Sequence, residues 1–222
     1  MKSSNGWITS AGNKFLLYEI TQSPNYQITK SPPTADPPDC IAGYCASGAE
    51  NKIHMKHRVT GKQQNSKMCF LCGLKNSFGL KGEFFELENN ELVCIFKPSN
   101  EHQSYPGRLH GGITTAVLDE TIGRAIMIKS KEEVWGVTVE FTTRFKKQIP
   151  LNEELRVVGR ITIETSRTFE GTGELLLPNG EVAATGFGKY LRMPLNKISD
   201  FDPLEQEWKV VHSEKDPETI EL

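Results

Sequence analysis

The chain has 222 residues, 37% of them apolar and 24% charged, with a formal net charge of −2. That length suits one ordinary domain with extensions, and the apolar share suffices for a single core. A charge so close to neutrality gives no electrostatic case for nucleic acid or a membrane surface as partner, and no apolar run is long enough to span a bilayer.

Residues 1–66 hold five of the twelve prolines and sustain neither a 3.6-residue nor a 2.0-residue apolar period, so they are expected to be a disordered extension. The methionines at Met55 and Met68 raise the hypothesis that translation starts at one of them. The run Phe15-Leu16-Leu17-Tyr18 is too short and too flanked by polar residues for a signal-peptide core. With an odd count of five cysteines, this points to reduced thiols and a cytoplasmic location. Charge is unevenly spread: residues 51–82 carry seven Lys or Arg and no acid, whereas residues 197–222 carry eight acids against three bases. The segment 194–222 reads as an acidic tail.

From Cys69 the chain becomes regular. Cys69-Phe70-Leu71-Cys72-Gly73 is half of a zinc site. Cys40, Cys45, His54 and His57 complete no standard spacing with it, so a tight turn is expected there and no metal. Strand patterns follow at 82–87 and 91–97, the second placing Cys94 in the core, and then a loop to Leu109. One long helix is predicted from Gly111 to about Lys129, with apolar residues around most of its circumference, as a central helix requires. Four strands are predicted after it, at 134–145, 154–165, 168–177 and 182–192, rich in Val, Ile, Thr and Phe. Asn179-Gly180 is expected to supply positive φ values for a tight hairpin between the last two. Two strands, a helix and four strands predict an α+β fold, an antiparallel sheet with a helix on one face.

The helix carries the chemistry. Its Gly111-Gly112 start lets backbone N–H groups approach a ligand, and the positive end of the helix dipole favours an oxyanion there. Asp119 and Glu120 lie about two turns further in and point about 100° apart. Asp119 shares a face with the small residues Gly112, Thr115, Ala116 and Gly123, whereas Glu120 is one turn from Arg124 and available for an ion pair. Chemistry is therefore assigned to Asp119 and structure to Glu120.

Cys-x-x-Cys-Gly, then His-Gln-x-Tyr-Pro-Gly-x-x-His-Gly-Gly, then Leu-Asp-Glu resembles the hotdog-fold acyl-CoA thioesterases of the phenylacetate-pathway type, in the 4-hydroxybenzoyl-CoA thioesterase superfamily. Gly136-Val137-Thr138 is similar to a strand motif of that family, and the resemblance covers about residues 67–193. It implies a curved antiparallel sheet wrapped around one long central helix. It also implies pairing into dimers or tetramers, with sites across the subunit interface and acyl-CoA as substrate. Carried over by position, Asp119 is the nucleophile or general base and Gly111 the backbone donor to the thioester carbonyl. Thr138 corresponds to a hydroxyl from the partner subunit that positions water or the carboxylate. Ser104 stands where some members have Asn, which makes Gln103 the replacement, with His102 beside it. His110, Gly112 and Thr115 join His102 as the residues expected at the substrate, and no cofactor is implied.

Each assignment has a structural counterpart: a packing role for the glycines, a β-branched strand residue at Thr138, a loop-fixing role for His110. The basic stretch from Lys52 to Lys81 reads as solvated surface, as contacts to the phosphates of coenzyme A, or as contacts to nucleic acid, the second fitting the substrate. An acyl-CoA-binding sensor module and an acyl-CoA hydratase or dehydratase remain alternatives to the hydrolase, since the fold serves all three.

Overall fold

The computed structural model describes residues 55–130, 134–200, 202 and 204–222. Its strands are β1 (Lys56–Lys62), β2 (Glu83–Leu87), β3 (Leu92–Phe96), β4 (Trp135–Phe145), β5 (Leu155–Glu164), β6 (Thr168–Leu176), β7 (Val182–Met193) and β8 (Thr219–Glu221). Helix α1 (Gly111–Arg124) and the single turn α2 (Met127–Ser130) lie between β3 and β4. The strands form one eight-stranded sheet in the order β4-β7-β6-β5-β3-β2-β1-β8, antiparallel throughout. No helix among the described residues is long and apolar enough to cross a membrane.

Helix α1 packs on β3, β4, β5, β6 and β7. Val117 and Leu118 are buried on it among Phe84, Leu92, Leu155, Leu175 and Ala183 from the strands, and Ile122 is buried against Phe169 and Tyr190. Close approach depends on a small residue beneath the helix: a Cβ on Gly159 of β5 would stand 2.9 Å from the Thr121 carbonyl oxygen. The alternation of β6, buried at every second residue, matches the period-2 pattern in the sequence.

Three sequence-based expectations need correction. The long helix ends at Arg124 rather than near Lys129, because the Ala125 N–H bonds back three residues to Ile122 and tightens the last turn before α2 resumes. In the β6–β7 hairpin only Gly180 has positive φ (76°), closing a turn in which its N–H donates to the Leu177 carbonyl at 2.8 Å. The third correction concerns the two ends of the domain. Disorder through residue 66 does not hold from Lys56 onward, and 194–222 is no free tail.

Strand β1 pairs with β2 on one side and with β8 on the other, and Gln63, Gln64, Asn65 and Ser66 are buried. These residues lack an apolar period because hydrogen bonds rather than hydrophobic contacts hold them: Asn65 Nδ2 donates to the carbonyls of Cys72 (2.9 Å) and Gly82 (3.1 Å). Asn65 and Lys209 exchange backbone hydrogen bonds at 2.9 and 3.2 Å. A chain starting at Met68 would lack β1, and the disorder expected for residues 1–54 lies outside the described residues.

The same corner absorbs much of the charge asymmetry. Lys62, its side chain 3% exposed, bridges Glu83 at 2.8 Å and Asp216 at 2.6 Å, and Lys75 pairs with Glu207. Part of the basic stretch thus meets the acids of the C-terminal segment, and Lys62 is not available to a phosphate.

Candidate active site

Asp119 sits in the third turn of α1 at the wall of a cavity of about 520 Å³. Thr138, Trp135, Tyr190 and Trp208 line the same cavity. The Thr138 hydroxyl donates to Asp119 Oδ1 at 2.9 Å and lies 3.2 Å from Oδ2. The Tyr190 hydroxyl reaches Oδ1 at 3.0 Å and the Asp119 carbonyl at 3.1 Å. Both hydroxyls favour one oxygen, which leaves Oδ2 the freer to meet a substrate or a water.

Burial raises the carboxyl above the usual aspartate value, the Thr138 and Tyr190 hydrogen bonds pull it back, and neighbouring Glu120 pushes it up again. A carboxylate so tuned is a better base than a solvated one. Burial together with the facing Asp119 charge drives the Tyr190 phenol far up, so it stays a donor.

Gly123, on the Asp119 face, gives the Tyr190 ring its place: a Cβ there would lie 3.2 Å from the ring. Tyr190 also stacks on Phe169 at 4.8 Å between centroids. Nothing in the sequence marks this residue, a lone Tyr on the buried face of a strand and 71 positions from its partner. Trp208, edge-on to Trp135 at 4.8 Å, lay in the segment read as a tail.

The expected site residues fall into two groups at opposite ends of the helix. Gly111 is the first helical residue; its N–H makes no hydrogen bond among the described residues, as an oxyanion donor requires. The neighbouring Gly112 N–H is already taken by His110 Nδ1 at 2.9 Å, so His110 caps the helix and directs its free donor to Gly111. Thr115 bonds Thr143 of β4 at 3.0 Å. Gln103, in the exposed loop paired with Leu109, accepts from the Gly107 N–H at 3.4 Å.

His102 is corrected from a substrate contact to a structural residue. It is 4% exposed, its Nδ1 accepts from the Ser99 N–H (2.9 Å) and its Nε2 faces the Phe78 carbonyl (2.8 Å), so neither nitrogen is left for a ligand. Asp119 lies eight residues beyond Gly111, about 12 Å along the helix axis. One chain therefore does not bring the carboxylate and the Gly111 donor onto the same carbonyl carbon. Thr138, whose resemblance implied a hydroxyl from a partner, here bonds Asp119 of its own chain.

Glu120 pairs with Arg124 at 2.7 Å, as the helical spacing predicts. Arg124 is buried; it also donates to the Gln64 carbonyl (3.0 Å) and to Cys72 Sγ (3.2 Å), and its guanidinium lies 4.4 Å from the centre of the Phe84 ring. A hydrogen bond between Cys69 and Cys72 pulls the Cys72 thiol down, with Arg124 adding to it, and pushes the Cys69 thiol up.

Residues 106–184 match the model of the thioesterase superfamily. The matched residues contain α1, Asp119 and Thr138. The chain is 24% identical over 149 residues to acyl-coenzyme A thioesterase THEM4 of Rattus norvegicus, covering 64% of this chain and 61% of that protein. It is 31% identical over 70 residues to acyl-coenzyme A thioesterase THEM5 of Homo sapiens, covering 31% of this chain and 27% of that one. The matches thus span less than two thirds of either relative's length. Among solved structures, a thioesterase superfamily protein aligns with TM-score 0.51 at 23% identity, over 55% of this chain and 59% of that one. A thioesterase from Haemophilus influenzae aligns with TM-score 0.50 at 10% identity, over 56% and 86%. At such identities the likeness is one of fold, the hotdog.

Proposed function

We propose that this protein is an acyl-CoA thioesterase working as a homo-oligomer, with each site shared between two copies. The observation that carries this reading is Asp119: a half-buried carboxylate at a cavity wall, held by two hydroxyls and raised above its usual value. Asp119 of one copy takes a proton from water, and the oxygen adds to the thioester carbonyl. The oxyanion is held by the Gly111 N–H of the other copy, and the C–S bond then breaks to release the coenzyme A thiolate and the free acid. A thiolate is a good leaving group, so no strong general acid is required.

Two features support assembly. Among the described residues strand β4 is an edge of the sheet, with no strand on its outer side, and it carries exposed Thr138, Val139 (59% exposed) and Phe145 (52%). The separation of Gly111 from Asp119 within one chain is the second, since a second copy brings another helix start. The THEM4 and THEM5 matches favour a coenzyme A ester over other thioesters.

The test is thiol release from a panel of aliphatic and aromatic acyl-CoA esters, for the wild type and Asp119→Asn in parallel. Release by the wild type, reduced about 10²–10⁴-fold in the variant, supports the proposal. Binding without release by either protein leaves an acyl-CoA-binding module instead.

A further inference from the structure

Beside Asp119, the cavity is lined by a second set of groups that the proposed hydrolysis does not use. Cys69 Sγ, Cys72 Sγ and a carboxylate oxygen of Glu120 converge so that all three lie within 4.8 Å of one another. Two thiolates on a tetrahedral zinc stand about 3.8 Å apart at Zn–S distances near 2.3 Å. The three groups need little movement to close on one ion.

The surroundings are arranged as a metal site's would be. The turn from Cys69 to Cys72 is closed by the Gly73 N–H on the Cys69 carbonyl at 2.8 Å, and a Cβ on Gly73 would lie 2.3 Å from that same oxygen. Only glycine fits there, and the turn holds both sulfurs on one side. Cys69 Sγ accepts the N–H groups of Leu71 (3.3 Å) and Cys72 (3.4 Å), a pair of donors that suits a thiolate better than a thiol. Arg124 fixes the other two donors at once, binding Glu120 Oε1 through Nε and Cys72 Sγ through Nη2. Glu120 Oε2 has no partner among the described residues and is free to coordinate.

We infer that Cys69, Cys72 and Glu120 form a binding site for a soft divalent cation, zinc, with its fourth position open to the cavity beside Asp119. Charge balances without strain: Arg124 and Glu120 cancel, and the two thiols each release a proton to solvent as the dication binds, so the buried cluster stays neutral. Two sulfurs and one oxygen favour zinc over magnesium or calcium. A Cys69–Cys72 disulfide would use the same two sulfurs but would need no third donor. This site stands apart from the thioesterase reading, and metal content is measured separately from hydrolysis.

The experiment takes the full chain, reduced and stripped of metal, and titrates it with zinc chloride against a chromogenic chelator, with magnesium chloride as control. About one zinc per chain is expected. It should be lost in the double variant Cys69→Ser/Cys72→Ser, and affinity should fall at least about tenfold in Glu120→Gln. No zinc uptake by the wild type, or equal uptake by the double variant, overturns the inference. Should the double variant not fold, cobalt(II) added to the wild type decides: thiolate-to-cobalt absorption with the intense visible bands of a four-coordinate site supports it, and their absence overturns it. Hydrolysis by a wild type that takes up no zinc would sink this inference while sparing the proposed function.

Discussion

The Tyr190 phenol touches Asp119 twice, at 3.0 Å on carboxylate Oδ1 and at 3.1 Å on the backbone carbonyl, and so joins the last inner strand of the sheet to the third turn of α1. Tyr190→Phe keeps the stacking on Phe169 and removes only the hydroxyl. Because that hydrogen bond lowers the Asp119 value, its loss should move the acid limb of the pH–rate profile to higher pH. A hydrogen bond to a charged group is worth about 1.5–3 kcal/mol, so the limb should move by about one to two pH units. Thr138→Val should shift the limb in the same direction. An unmoved limb in folded variants would count against Asp119 as the base.

Gly111→Pro isolates the oxyanion donor. Proline suits the first helical position, and His110 before it is already extended at φ −66°, ψ 133°, as a residue preceding proline must be. The substitution should leave the melting temperature near that of the wild type while lowering kcat about 10²–10³-fold. Mixing this variant with Asp119→Asn under conditions of subunit exchange then tests the shared site. Half of the resulting dimers are hybrids with one intact site of two, so about a quarter of wild-type activity should return. If both groups acted within one chain, mixing would restore nothing.

Stability should reveal the strain on Asp119. Its folded-state value is raised, so the protonated carboxyl contributes stability that is fully present below 3.8 and is lost as the pH rises through the folded value. Asp119→Asn resembles the protonated form at every pH. It should therefore melt above the wild type at neutral pH, the gap closing as the pH falls through the folded value and gone below 3.8. A variant less stable than the wild type at neutral pH would refute this sign.

Gly159→Ala tests the contact that lets α1 lie on the sheet. The added Cβ would be 2.9 Å from the Thr121 carbonyl oxygen and 3.1 Å from the Ile122 nitrogen, both backbone atoms of the helix. Neither can turn aside as a side-chain tip would. Denaturant unfolding should show a loss of about 1–3 kcal/mol, as for other overpacked cores, with activity reduced because the helix carries Asp119.

The sequence alone determined the elements whose local pattern is regular, and the ion pair between Glu120 and Arg124. Strands β2 to β7 are runs rich in β-branched and aromatic residues, β6 with a strict period of two, and helix α1 repeats its apolar residues at helical spacing, so these elements are written in the chain; Glu120 finds Arg124 because helical geometry places them one turn apart. The tertiary structure alone decided what depends on pairing distant residues. Strand β1 is held through polar groups and a partner strand over 150 positions away, the basic stretch meets the acidic segment at Lys62 and Asp216, and Tyr190 reaches Asp119 across 71 positions. Such contacts leave no local period, because the energy that holds them belongs to both partners and appears only when the sheet brings them together. Likewise Cys69-x-x-Cys72 is half a site in the chain, and only the packing of α1 supplies Glu120 as its third donor.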